Sequence, residues 1–485
     1  MQTDSSRRTA EITYLAVLVV VGAALRFYRL GTGLWYDEVV TLLDSVRHPL
    51  TDIVTHFPGN NDHPLYSVLG HLSVAALGED PWTLRLPSVL FGLAAIPMVY
   101  FTGTAVTNRR EAGAAALILT TSYHHIWFSQ NARGYTALLL FALLSTLALC
   151  RWLDTGRRSF LLLFAVATAA GAYAHLTMVL VCLSQAVVCG LDALWIGAAS
   201  RVRVQWRDVT AAFVGAGVLT LLLYAPMMVA VRLFFTTETA SATELATPAW
   251  AVLAALRGVE AGFGLRWGLA LAGFVFLAGA WSYLRQRPTI ALLFLLPLPV
   301  TLGLALALNR PIFPRFLFFA IGFVLLVTVR GASSVGTALA ALTTTRPAAP
   351  QIGATIMVAL IALGALVLSA RSLPYGYRHP KQDYAGAVAF VERTRNDSDL
   401  VAVIGETGAR PVLDYLDKPW HRVNAGSDLR LLRQHGAPVW LVYTFPAYIQ
   451  SGRPDLWRTL LDECAEIGEF EGTVAGGTIS VRRCP

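Results

Sequence analysis

The stretch Leu34-Trp35-Tyr36-Asp37-Glu38-Val39-Val40-Thr41 sets two adjacent carboxylates beside two large aromatic rings, directly after the first apolar run of the chain. Trp and Tyr settle at the boundary between water and lipid, because their rings are apolar and one edge is polar. The carboxylates are therefore expected at interface depth, a place for chemistry on a lipid-borne substrate. Neighbouring side chains diverge by about 100° on a helix and 180° on a strand, so the two acids should do different work. Asp37 is assigned the role of base, and Glu38 either a hydrogen bond that positions the loop or an acceptor contact. Their mutual repulsion should raise the proton affinity of one of them, as suits a base. The plain alternative is that the pair only caps the start of a solvated helix.

The elements that must position these acids are membrane spans. Of 485 residues 55% are hydrophobic and 14% charged, against roughly 25% charged in a soluble protein. Long apolar runs recur to residue 370, which excludes a soluble globular fold. About eleven spans are expected, at residues 12–25, 82–106, 112–123, 136–152, 160–173, 175–196, 209–231, 265–283, 290–308, 316–329 and 352–370. The net charge of +8 comes from Arg residues in short clusters between the runs, with no basic stripe for nucleic acid. Arg7 and Arg8 precede the first span, so the start is expected in the cytoplasm and residues 27–81 outside it. That long loop should hold short helices lying along the interface.

From residue 372 the composition becomes that of a soluble α/β domain, 372–485, attached to a transmembrane domain, 1–371. Strands are expected at 401–404, 439–443 and 478–481, with helices at 384–395, 410–416, 428–434 and 455–464. Gly405-Glu406-Thr407-Gly408 follows a strand but lacks the spacing of a dinucleotide fingerprint, so no nucleotide is assigned. Cys150, Cys182 and Cys189 lie in apolar runs; Cys464 and Cys484 can pair if the tail lies outside the cytoplasm. No Cys or His spacing indicates a zinc site, and no cofactor is assigned. A divalent ion that binds only with substrate stays open.

The external loops bring together an acid and many cations: Asp37, Glu38 and Asp62; Arg85, Arg133, Arg310, Arg315 and Lys381; His63, His124, His125 and His175. Charges at membrane depth are costly, roughly 3 kcal/mol each on insertion scales, so a cluster there marks function. Arg forks hold a phosphate, and a carboxylate takes a proton from a hydroxyl nucleophile. Together they point to glycosyl transfer from a polyprenyl phosphate sugar, whose phosphate is both handle and leaving group. Arg133 is the preferred phosphate contact, with Arg315, Arg310, Arg85 and His63 beside it. Trp35, Tyr36, Tyr135, Lys381 and Tyr384 are assigned to the acceptor or to support. Arg85 reads equally as an anchor at a helix start, and Arg26 and Arg29 as side chains that snorkel to the interface.

At these residues the chain resembles a known family. Trp35-Tyr36-Asp37-Glu38, His63-Pro64-Leu65-Tyr66, Arg85-Leu86-Pro87-Ser88 and Ser129-Gln130-Asn131-Ala132-Arg133-Gly134-Tyr135 are similar to the motifs of GT-C glycosyltransferases of the protein O-mannosyltransferase and aminoarabinose transferase group. The resemblance covers the first half of the membrane domain in motifs and the rest in architecture. It implies an inverting transferase working on the outer face of the membrane, with Asp37 as base and a polyprenyl-phosphate-linked sugar as donor. The segment from Arg310 to Arg315 resembles a later loop that approaches the donor phosphate. Many relatives carry an acid where this chain has Asn131, which weakens any case for a bridging metal.

The acceptor stays open among glycan, lipid and protein, and the location implied is a bacterial plasma membrane. The rival is a transporter or flippase of lipid-linked sugars, which would also place charges inside a helical bundle. Transporters tend to repeat internally and to break helices at mid-membrane, whereas here the polar residues gather on one face. A membrane-anchored binding module would have no need of Asp37, Arg133 and Arg315 on separate loops.

Overall fold

The computed structural model describes residues 2–59, 62–196, 206–237, 248–263, 266–308, 312–343 and 346–485. Among the described residues eight helices are long and apolar enough to cross a membrane, nine if Pro288–Leu295 and Pro297–Ala307, bent by 45° at their junction, count as one span. Each of the eleven expected runs falls mainly on helix where its residues are described. Those at 112–123 and 160–173 fall on helices Arg109–Thr121 and Arg158–Ala174, of 13 and 17 residues. Both are shorter than the roughly 20 residues of a full crossing. The chain is a polytopic helical membrane protein with a small sheet at its end.

Tyr135–Thr155 is the most enclosed of the long helices among the described residues, and Pro81–Val106 and Pro314–Thr343 follow it equally. Small residues set the close crossings. A Cβ at Gly279 would stand 1.9 Å from the Val327 carbonyl oxygen, and one at Gly331 1.8 Å from that of Val275, so helices Arg266–Gln286 and Ile321–Thr343 can meet only through glycine.

Arg26, near the end of the first helix Gln2–Phe27, corrects the snorkelling expectation. Its side chain is wholly buried. The guanidinium donates to the carbonyls of Gly22 at 2.9 Å and Thr120 at 3.0 Å and to Ser129 Oγ at 3.1 Å, and lies 2.6 Å from His125 Nδ1. It thereby occupies the last carbonyls of the helix Arg109–Thr121, which nothing inside that helix can satisfy.

The loop after the first helix forms short helices at Tyr36–Thr41, Leu50–Thr55 and Pro64–Leu77, with a wide turn at Leu42–Val46. At the other end of the chain, the helix Ala349–Arg378 leads into a five-stranded sheet. Its strands are β1 (Leu400–Ile404), β2 (His421–Val423), β3 (Val439–Thr444), β4 (Ala465–Phe470) and β5 (Ile479–Cys484), in the spatial order 2-1-3-5-4. β1 pairs in parallel with β2 and β3, and β5 is antiparallel to β3 and β4. Alternate residues face two cores. Val401, Val403, Trp440 and Val442 pack against Tyr384–Thr394, while Ala402, Ile404, Leu441 and Tyr443 pack on the opposite side with Leu456 and Leu460. A disulfide joins Cys464 to Cys484.

Candidate active site

Arg85 lies at the start of the second turn of Pro81–Val106 and is completely buried. All five of its N–H groups are committed to the first loop. Nε donates to Glu38 Oε1 at 2.8 Å, and Nη2 to Glu38 Oε2 at 2.6 Å and to the Gly33 carbonyl at 3.0 Å. Nη1 reaches the carbonyls of Leu30 and Thr32, each at 2.7 Å. The expected phosphate contact is corrected on this ground: a guanidinium with no donor to spare holds the loop instead.

Glu38 is the other half of the clamp. It accepts further bonds from the amides of Ala132 at 2.8 Å and Trp35 at 3.3 Å, and Lys381 Nζ stands 3.9 Å away. Burial alone would push its carboxyl up, but Arg85, Lys381 and the bonded donors hold it below the usual carboxylate range. Of the two neighbouring acids, Glu38 is thus ionised and fully engaged. It ties the first loop to the segment carrying Asn131, Ala132 and Arg133, as a positioning group.

Asp37, the next side chain on the same short helix, points elsewhere. It is 6% exposed, and its Oδ2 makes an ion-pair contact with Arg315 Nη1 at 3.4 Å but no hydrogen bond. Arg315 sits in the tight turn Pro314–Ala320, its guanidinium 4.5 Å from the Phe313 ring centroid and its Nε without a hydrogen-bond acceptor. Arg310 lies outside the described residues.

Thr41 links Asp37 to the third partner. Its hydroxyl donates to the Asp37 carbonyl at 2.9 Å and accepts from Arg133 Nη1 at 2.9 Å. Arg133 is buried, and Ser88 Oγ bonds both its backbone carbonyl, at 2.8 Å, and its amide, at 3.3 Å. Asn131 accepts the Trp35 indole N–H at 3.0 Å, so this amide secures the aromatic residue that opens the carboxylate motif.

His63 and Tyr135 meet at the side of Arg133. Their ring centroids are 5.3 Å apart, and the Arg133 guanidinium carbon is 5.9 Å from the Tyr135 ring. A Cβ at Gly134 would collide with the Ala174 carbonyl oxygen at 2.4 Å and crowd His63 Nδ1 at 3.1 Å, so only glycine lets the chain pass here. Burial, then the charge of Arg133, drives the His63 imidazole well below its ordinary value, and it is neutral. Burial also lifts the neighbouring Asp62 carboxyl to about 6.

The C-terminal unit closes over the loop. Gln382 accepts the Tyr36 amide at 3.0 Å and donates to Thr444 Oγ1 at 3.0 Å, and the Trp127 indole donates to Thr473 Oγ1 at 2.9 Å. Arg410 forms an ion pair with Asp44. Lys381 donates to the Gln130 carbonyl and lies 5.3 Å from the Trp127 ring centroid, and Tyr384 donates to the Thr407 carbonyl at 2.7 Å. Through these bonds both hold structure together. Sequence reasoning gave no role in the site to Thr41, Ser88 or Gln382, and read Arg26 only as a snorkelling side chain, because their contacts with Arg133, Tyr36 and Ser129 cross long stretches of chain and carry no local pattern. Among the described residues, no three His, Cys, Asp or Glu side chains gather as a metal-ligand set.

The sequence profile of the dolichyl-phosphate-mannose-protein mannosyltransferase family matches residues 61–229, a segment that contains His63, Arg85, Arg133 and Tyr135. No curated protein matches the chain by sequence. Among solved structures, it is similar to ArnT from Cupriavidus metallidurans in the apo state, with 14% identity over 98% of each chain and a TM-score of 0.60. The same protein bound to undecaprenyl phosphate gives 14% identity, 98% of each chain and a TM-score of 0.59. The oligosaccharyltransferase of Archaeoglobus fulgidus in the apo form gives 12% identity, 92% of this chain, 71% of that chain and a TM-score of 0.53. The chain has the GT-C fold.

Proposed function

We propose that this protein is a membrane glycosyltransferase that moves a sugar from a polyprenyl-phosphate-linked donor to a hydroxyl of a glycan, lipid or protein acceptor, with inversion. The observation that carries the reading is the Asp37–Arg315 pair. Each leaves a polar atom without a hydrogen bond, while the adjacent Glu38–Arg85 pair is saturated. The family profile and the structural relatives support the same class, and the relatives' ligands, undecaprenyl phosphate in one and dolichol-phosphate in the archaeal enzyme, support the donor.

In this reading the acceptor hydroxyl attacks the anomeric carbon on the face opposite the phosphate. The new C–O bond forms as the bond from that carbon to the phosphate oxygen breaks, and its electron pair leaves with the phosphate. Asp37 takes the hydroxyl proton, and Arg315 and Arg133 stabilise the charge growing on the departing group. Glu38, Arg85 and Lys381 keep the two loops in register. The site end of the bundle faces away from the cytoplasm, an orientation supported by the disulfide of the C-terminal unit. That unit, residues 372–485, covers the site of the transmembrane domain, residues 1–371.

The test is transfer of radiolabelled sugar from polyprenyl phosphate donors in membranes carrying the wild type or Asp37→Asn, with EDTA as a second variable. Loss of the base lowers transfer by roughly 10²–10⁴-fold, with donor binding retained. Equal rates would remove Asp37 from the mechanism. Absence of transfer by either protein from every donor, with lipid phosphate still bound, would favour a carrier of lipid-linked sugars.

A further inference from the structure

The imidazole of His63 is buried, yet only one of its nitrogens has a partner. Nδ1 lies 3.2 Å from the carbonyl oxygen of Ala174. A carbonyl has no proton to give, so Nδ1 carries the proton and donates it. Nε2 of the neutral ring is then left with a lone pair. Such an atom repels a phosphate oxygen and accepts a bond from a hydroxyl. The Tyr135 hydroxyl, equally buried, is in the adjoining ring and lies near the Arg315 guanidinium.

These two rings belong to an aromatic wall. His175 is 4.9 Å from His63 and 5.4 Å from Tyr135, and Phe316 is 5.1 Å from His175. Apolar ring faces with a few inward polar atoms suit the C–H face and hydroxyls of a sugar, whereas a phosphate calls for cations. The wall stands beside Arg133 and next to the turn carrying Arg315, where a sugar joined to a bound phosphate would fall. An ammonium could also donate to Nε2, but two neighbouring guanidinium groups repel a third cation.

We propose that His63 and Tyr135 form a subsite that reads an uncharged hydroxyl of the donor sugar, and that His63 does not contact the phosphate. The inference rests on the donor reading above and assigns the sugar its place within it.

The test measures binding by the full chain in lipid nanodiscs. The probes are undecaprenyl phosphate without sugar, polyprenyl phosphate mannose and polyprenyl phosphate arabinose, for the wild type, His63→Phe, Tyr135→Phe and Arg315→Gln. His63→Phe keeps the ring and removes Nε2. It should leave the Kd for the sugarless carrier unchanged and raise that for the preferred sugar donor about tenfold, the scale of one lost hydrogen bond. Tyr135→Phe, which removes a single oxygen, should show the same selectivity even if the His63 variant folds poorly. Arg315→Gln should weaken all three probes. Equal weakening of sugarless and sugar-bearing probes by His63→Phe would return His63 to the phosphate, and no change with either would take it out of the subsite. If the wild type binds no sugar donor and Arg315→Gln alters nothing, the donor reading itself falls.

Discussion

The two ends of the helix Pro81–Val106 both carry buried charge, and they treat it in opposite ways. Beyond its last turn, Glu111 accepts from Thr107, from Asn108 Nδ2 at 2.8 Å and from Arg330 Nη1 at 3.2 Å. Arg330 also donates to Ser282 at 3.0 Å and Gln286 at 2.6 Å, and Arg287 joins Asp154 at 2.9 Å. At the helix start, Glu38 and Arg85 are as well matched, but around them Asp37 Oδ2, His63 Nε2, Asn131 Nδ2, Tyr135 Oη and Arg315 Nε lack hydrogen bonds. Buried polar groups are ordinarily satisfied, so a concentration of unsatisfied ones marks where something else must bind. One end is a pin. The other is a pin, Glu38 with Arg85, driven through the middle of a socket.

Substitutions can break that contrast. Asp37→Asn should have the largest effect on transfer and only a small one on thermal unfolding, because Asp37 Oδ2 makes no hydrogen bond and its ion-pair partner Arg315 is 29% exposed, so water takes up part of that charge. Glu38→Gln should reverse the balance: leaving Arg85 with an unpaired buried charge costs about 3–5 kcal/mol, read as a lowered midpoint in detergent, and transfer falls with it. Glu111→Gln, at the far end, should cost about 1–3 kcal/mol, because Arg330 is 19% exposed and water takes up part of its charge. Its donor Kd should match the wild type, and a changed Kd would mean that the two ends communicate.

The most gradual effect is a pH slope, spread over several pH units. Burial, partly offset by Glu38, brings Lys381 from an ordinary 10.5 down to about 7. Between those values the folded chain holds fewer protons than the unfolded one, so stability rises with pH across the window and is lost as pH falls through about 7. Lys381→Met should flatten the dependence of the unfolding midpoint on pH from 7 to 10.5. A slope that survives the substitution would have to come from another group.

Much of this was legible in the sequence because it is periodic or local. The apolar runs mark the helices, and the short continuous apolar run Val401-Ala402-Val403-Ile404 marks a strand buried on both faces. The edge strands β2 and β4 escaped, one being three residues long and the other exposed along most of its length and bulged between Glu466 and Gly468. The cluster of Asp37, Arg133 and Arg315 followed from loop topology and charge. Its internal division of labour did not. That Arg85 is spent, that His63 offers a lone pair, and that Asn131 secures Trp35 all depend on which atoms face each other across tens of residues. No spacing rule reports that.

Arg26 adds a consequence for how the protein is made. Its partners outside its own helix, the carbonyls of Leu119 and Thr120 with His125 and Ser129, lie more than 90 residues further along the chain. At roughly 5–20 residues per second, the ribosome takes on the order of 5–20 s to supply them. Throughout that interval the first helix carries a guanidinium with most of its final partners not yet synthesised. Near the helix end the side chain can reach headgroups and water, so snorkelling describes the nascent chain even though it does not describe the finished one. In the finished protein the contacts with residues 119–129 make that charge the latch that holds the helix Arg109–Thr121 onto the first span.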